Sequence, residues 1–362
     1  MFGKMMNNFY YGKSGKGDFN KEDLPSNRFQ LFWEMLRVRF SGLFRLNLIA
    51  VLAFVPLIFV IVTSVSTFLS GISMQMQLAD IVSQAGVTLA GDTEEALAAF
   101  KQAGTDALIA AERTEEEAAL WASLCTPDLL RTFIYQLISN LALFAIPCIL
   151  ITGPVEAGLA YVTRNWARDE HAFVWSDFKD AVKANWKQSL AISAITSVLP
   201  IILYVCWTFY GEQSQNSILF IIPQMLVLVL CLLWMLALVY MYFLIVTYKA
   251  SLREIIKNGL LLGIGRLPQT VGVCLLHLLP FAIVAFLLLY TSIGYYAFMA
   301  IILYYILFGI AFARFINASV SNAVFDKYIN SHIEGAKVNQ GLRSDEDNYD
   351  IVTEEDEASK PE

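Results

Sequence analysis

The chain has 362 residues, of which 57% are hydrophobic and only 16% charged, with a formal net charge of −7. A soluble domain of this size would carry roughly a quarter charged residues, so an ordinary water-soluble enzyme or a nucleic-acid-binding module is excluded. The apolar residues are concentrated in runs long enough to cross a hydrocarbon core, which takes about 20 helical residues. Such runs become helices because every buried backbone N–H and C=O must be paired internally.

The first 27 residues are polar, Gly/Lys-rich and lack an apolar signal-peptide core, so the first span is expected to serve as the insertion signal. Gly12-Lys13-Ser14 resembles the end of a phosphate-binding loop, but Asn7 stands where its glycine is needed. Residues 28–45 form an amphipathic helix, with Phe29, Phe32, Trp33, Leu36, Phe40, Leu43 and Phe44 on one arc and Arg28, Glu34, Arg37, Arg39, Ser41 and Arg45 around the rest. That arc suits either the membrane headgroup plane or packing against the ends of other helices.

Six spans are expected at about 46–70, 129–151, 190–210, 218–247, 269–290 and 295–316. The fourth begins near Pro223, and the last two are joined so tightly, through Thr291-Ser292-Ile293-Gly294, that they form a hairpin. Between the first two, residues 71–128 are Ala-rich and acidic, running from Asp80 to Asp128, and contain only Lys101 and Arg113 as bases. Thr114 and Glu117 fit a capping box before Ala118, and two or three short helices are expected. This insertion reads either as a binding cap or as a soluble acidic segment with no specific partner.

The second span ends in Gly153-Pro154-Val155-Glu156-Ala157-Gly158, a composition that predicts a broken helix. Glu156 is then an ionisable group near an interface, either a proton or substrate contact or the partner of Arg164 or another nearby base. Asn140, within the second span, reads as an interhelical hydrogen-bond residue. His277, within the fifth, reads as a functional candidate or as a neutral imidazole bonded to a backbone carbonyl. His171 follows Asp169-Glu170 in a loop expected to be cytoplasmic, and the three histidines are too scattered to make a metal set. Among the five cysteines, only Cys125 and Cys206 are placed to pair, without any spacing motif in support. No cofactor motif is present.

Lys and Arg cluster before the first span, at Arg164–Lys187, at Lys249–Arg266 and after the sixth, which predicts that both termini are cytoplasmic. Amphipathic segments at 171–189 and 249–266 resemble the first, and Glu34-Met35-Leu36-Arg37, Asp180-Ala181-Val182-Lys183 and Glu254-Ile255-Ile256-Lys257 recur before outward-running spans. These fit either a threefold repeat or chance acid–base spacing on helices. Gly263-Ile264-Gly265 permits close packing or a break before Pro268. The tyrosine doublets Tyr295-Tyr296 and Tyr304-Tyr305 fit a polar seam or ordinary packing, and most Trp residues, including Trp166, fit interfacial belts. Residues 333–362 turn acidic and are expected to be disordered.

The resulting expectation is an all-α polytopic membrane helical bundle: a polar segment 1–27, a six-span membrane domain 28–332 carrying the insertion 71–128, and a tail 333–362. The stretch GPVEAGLAYVTRNWARDEHAFVWSDFKDAVKANWKQSL, with YKASLREIIKNGLLLGIGRLPQTVGVCL and the opening YYGKSGKGDFNKEDLP, resembles YesL-type bacterial membrane proteins. The chain departs from the simpler members in its acidic insertion and the crossing near 129–151. The resemblance implies the bacterial plasma membrane and a carbohydrate-uptake context, with membrane lipids and a carbohydrate transport system as partners, and no catalytic residues to carry over. Three functions follow in order of support: a non-enzymatic accessory or regulatory protein, a small-molecule transporter, and an intramembrane enzyme using Glu156, His171 or His277.

Overall fold

The computed structural model describes residues 24–343 except 90, 92–93 and 125–128. Cys125, the phosphate-loop-like Gly12-Lys13-Ser14 and the acidic tail beyond 343 lie outside the described residues. Every regular element among the described residues is helical: α1 (Arg28–Gln84), α2 (Glu94–Ala110), α3 (Glu115–Leu124), α4 (Leu129–Trp166), α5 (Ser176–Ser214), α6 (Ile221–Thr247), α7 (Leu252–Gly265), α8 (Leu267–Tyr290), α9 (Gly294–Tyr304) and α10 (Ile310–Tyr328). A 3₁₀ turn, Ile218–Phe220, leads into α6, and a π-helical turn, Tyr305–Gly309, joins α9 to α10. Six of the resulting rods are long and apolar enough to cross a membrane, so the expected all-α polytopic architecture is present.

Three local expectations are corrected. The helix does not break at Gly153-Pro154, because α4 runs unbroken to Trp166. Membrane helices tolerate proline when neighbours satisfy the freed backbone groups. The amphipathic segments at 28–45 and 171–189 are not separate helices, since each continues directly into its span within α1 and α5. Trp166 is no interfacial anchor: it is buried, and its indole N–H donates to the Ala172 carbonyl at 3.0 Å.

The chain divides into two compact units, the first formed by residues up to 53, 153–191 and from 232 on, the second by 54–152 and 192–231. In the first unit, α1 buries Leu31, Met35, Leu43, Leu46, Asn47 and Ala50, while Phe29, Trp33, Phe40 and Phe44 remain exposed. One stripe of the helix is thus packed on the bundle, as its pattern allowed, and an aromatic stripe is exposed. Helix α5 approaches α4 so closely that a Cβ on Gly158 would lie 2.6 Å from the Phe178 ring. Gly263 of α7 lies against the α6 backbone at Leu236 and Ala237, and the chain then breaks at Arg266 (φ −121°) before α8. Both uses proposed for that glycine segment are thus realised. The α8–α9 hairpin is as tight as expected, since a Cβ on Gly294 would sit 2.4 Å from Leu288 Cα.

The second unit contains its own apolar cluster. Leu78 and Val82 near the end of α1 pack with Leu108 of α2 and Ala118 and Trp121 of α3. The Trp121 ring fills the space a Cβ on Gly104 would need. The Thr114–Glu117 capping box forms as expected, with the Glu117 N–H donating to Thr114 Oγ1 at 3.1 Å and the Thr114 N–H to Glu117 Oε2 at 3.2 Å.

Candidate functional site

The polar residues buried in the first unit form three linked arrangements. The first is an ion pair. Glu156 on α4, 4% exposed, accepts two hydrogen bonds from Arg314 on α10, through Nε and Nη2. An isolated charge at such a depth is costly, and a bidentate guanidinium–carboxylate pair is the geometry that best offsets the desolvation of both groups. Tyr242 of α6 and Tyr305 of the π-turn lie within electrostatic range of the pair. The partner of Glu156 is therefore a base on the last span, not Arg164. The Arg164 guanidinium instead donates to Asn165 Oδ1 at 2.9 Å and lies 3.9 Å from Glu170.

The second arrangement holds the π-turn. A π-turn lengthens the hydrogen-bond step and frees backbone groups that an α-helix would pair. Asn47 of α1, fully buried, supplies what is missing. Its Nδ2 donates to the carbonyls of Tyr305 and Ile306 at 3.0 and 2.7 Å, and its Oδ1 accepts from the Ala311 N–H at 2.9 Å. One side chain thereby satisfies two acceptors and a donor. Nearby, His277 of α8 bonds Asn317 of α10, with Nε2 and Oδ1 2.6 Å apart. An amide oxygen only accepts, so Nε2 carries the proton. The sequence-based expectation of a backbone carbonyl partner for His277 is corrected to this side-chain amide.

The third arrangement centres on Asp326, 2% exposed. It accepts from Arg28 Nη2 at 2.5 Å, from Asn330 Nδ2 at 2.6 Å and from the Asn339 N–H at 3.1 Å. Tyr248, just beyond α6, donates to Asn330 Oδ1 at 2.7 Å. Burial pushes the Tyr248 phenol up to about 12, partly offset by Arg164, so it stays a donor at physiological pH. The segment after α10 packs back on this region: Arg168 Nη2 donates to the Lys337 carbonyl at 3.0 Å, and Gly341 (φ +83°) passes beneath the Arg168 carbonyl.

Asn140 is half-buried on α4 in the second unit and makes no side-chain hydrogen bond among the described residues. In the first unit the four paired tyrosines share no polar seam among the described residues; Tyr295 and Tyr296 are exposed, and Tyr305 stacks on Phe281 with ring centroids 5.3 Å apart. No group of three or more His, Cys, Asp or Glu side chains among the described residues could hold a metal ion.

These features define a polytopic all-α membrane protein whose first unit is bound together by buried polar contacts. Residues 130–207, covering most of α4 and α5 with Glu156 and Arg164, match the model of a family described as a protein of unknown function, DUF624. No curated protein and no solved structure matches the chain. Arg314, Asn47, Asn317 and Asp326 were not singled out from sequence. Arg314 was counted only among the bases after the last span, and no local spacing links it to Glu156 across 158 residues.

Proposed function

We propose that this is a bacterial plasma-membrane protein of the YesL type, with both termini cytoplasmic. In this reading it is a non-enzymatic accessory or regulatory component of a carbohydrate-uptake system. The DUF624 match, a family that includes YesL-type proteins, supports the finer assignment together with the resemblance of the 153–190 stretch. The alternation of Lys- and Arg-rich with acidic segments supports the orientation.

The observation that carries the functional reading is the use made of the polar residues. Glu156 is paired with Arg314, His277 with Asn317, and Asn47 with three backbone groups. Transporters place substrate and coupling-ion groups along discontinuous helices near mid-membrane, where those groups change partner during the cycle. Here the same residue types fasten α1, α4, α8 and α10 into a scaffold. Such a scaffold acts on other molecules through its surface. The half-exposed face of α7, with Leu252, Ile256, Leu260 and Ile264 beside Arg253 and Lys257, has the composition of a membrane-surface helix.

The test is recovery from native membranes after cross-linking, paired with reconstitution. The accessory reading expects a sugar permease subunit to be recovered with the protein and no sugar flux from the purified protein in liposomes. Sugar flux without any recovered partner would replace this reading with transport.

A further inference from the structure

The first unit carries a half-open groove of about 600 Å³ beside the paired core. Its apolar lining includes Leu276 and Leu279 of α8, Phe312 and Ile316 of α10 and Phe29 and Trp33 of α1. The volume falls within the usual range for a small-molecule site. Along α8 the lining runs from Gln269 to Pro280, a rise of about 16 Å at ~1.5 Å per residue. That is close to half of a hydrocarbon core about 30 Å thick, the depth of a single leaflet. A partner transmembrane helix would need a face along the whole thickness, whereas one acyl chain needs only this depth.

The Gln269 end is positively charged and incompletely neutralised. Arg266 donates through Nε to Gln269 Oε1 at 2.8 Å and through Nη1 to Tyr328 Oη at 3.3 Å, and its guanidinium lies over the Tyr328 ring. The Lys327 ammonium lies over the same ring, 5.6 Å from its centroid. All these partners are neutral. Neither cation has a carboxylate partner among the described residues, in contrast to Arg28, whose charge is matched by Asp326. Helix α8 also begins here, at Leu267, with no side-chain cap.

We propose that this groove binds one anionic phospholipid, with an acyl chain between α8 and α10 and its phosphate at Arg266 and Lys327. The two unneutralised cations select the headgroup, and the apolar lining selects a chain of leaflet depth. The proposal is independent of the accessory reading.

The full chain in detergent is mixed with equal amounts of phosphatidylglycerol and phosphatidylcholine carrying the same acyl chains, and bound lipid is read by native mass spectrometry. One phosphatidylglycerol should be retained in preference by roughly tenfold or more, given the attraction of each nearby base. The Arg266→Gln/Lys327→Gln variant should bring the two lipids to parity, and Ala313→Phe, which fills the groove, should remove both. Lys327 is exposed and Arg266 half-buried, neither in the apolar core, so the charge variant decides the matter even where Ala313→Phe does not fold. Equal retention of both lipids by the wild type, an unchanged preference in the charge variant, or a polypeptide segment cross-linked in the groove would each overturn the proposal.

Discussion

Replacing Glu156 by glutamine leaves Arg314 with no countercharge. Removing one partner of a buried ion pair costs about 3–5 kcal/mol, because the remaining charge stays desolvated. The Arg314 side chain is 28% exposed while that of Glu156 is 5% exposed. The stranded guanidinium can therefore recover some solvation, whereas a stranded carboxylate cannot. Glu156→Gln is expected near the lower limit, about 3 kcal/mol, and Arg314→Met near the upper, about 5 kcal/mol. The double variant Glu156→Met/Arg314→Met removes both desolvation costs and is expected within about 1–2 kcal/mol of wild type. Thermal unfolding in detergent reads the series. At about 2–4 °C per kcal/mol for a domain of roughly 150–250 residues, Glu156→Gln should melt some 6–12 °C lower, with the double variant close to wild type. A double variant as unstable as the sum of its singles, or a Glu156→Gln melting point unchanged within about 2 °C, would refute the claim that the pair is desolvated and mutual.

Asn47→Leu leaves two carbonyls and one N–H of the π-turn region unsatisfied, each worth about 1–3 kcal/mol; a melting temperature equal to wild type would show that the turn re-forms as an α-helix without it. Gly158→Leu drives a side chain into Phe178 and Val182, an overpacking expected to cost about 1–3 kcal/mol and readable in the same melts. At the start of α7, the Ser251 backbone N–H and hydroxyl both donate to Glu254 and hold its carboxyl below the usual carboxylate value. A depressed acid stabilises the fold above its unfolded value and loses that contribution as pH falls through the lower, folded one. The protection of the α7 amides, relative to an unstructured amide at the same pH, should therefore be high at neutral pH and fall in acid, and Ser251→Ala, which removes the hydroxyl donor but keeps the backbone N–H, should weaken that pH dependence; an identical profile in the variant would contradict the box.

The parts of this molecule that could be read from its sequence are those governed by neighbours in the chain. Apolar run length located the six rods, and the Thr114–Glu117 spacing announced its own hydrogen bonds. The same signature at Ser251–Glu254 passed unremarked beside the acid–base pattern at Glu254–Lys257. Glu156 and His277 stood out because ionisable groups are rare within apolar runs. Their partners did not, since Arg314 and Asn317 meet them only through packing between distant helices. The π-turn left no mark at all: Tyr305–Gly309 reads as ordinary apolar helix, and Asn47 as a polar residue entering a span. The Gly153-Pro154 break failed for the opposite reason, local propensity being overridden by a helix that packs on both sides.

The central claim is that these polar residues form a packed scaffold and not a solute path. Ala160 is fully buried one turn from Glu156 on the same face of α4. In a background free of native cysteines, Ala160→Cys should resist a charged, water-borne thiol reagent applied from either side of the membrane, while Lys327→Cys reacts readily. Rapid labelling at position 160, slowed by addition of a sugar, would show a water-filled route beside the Glu156–Arg314 pair and contradict the account.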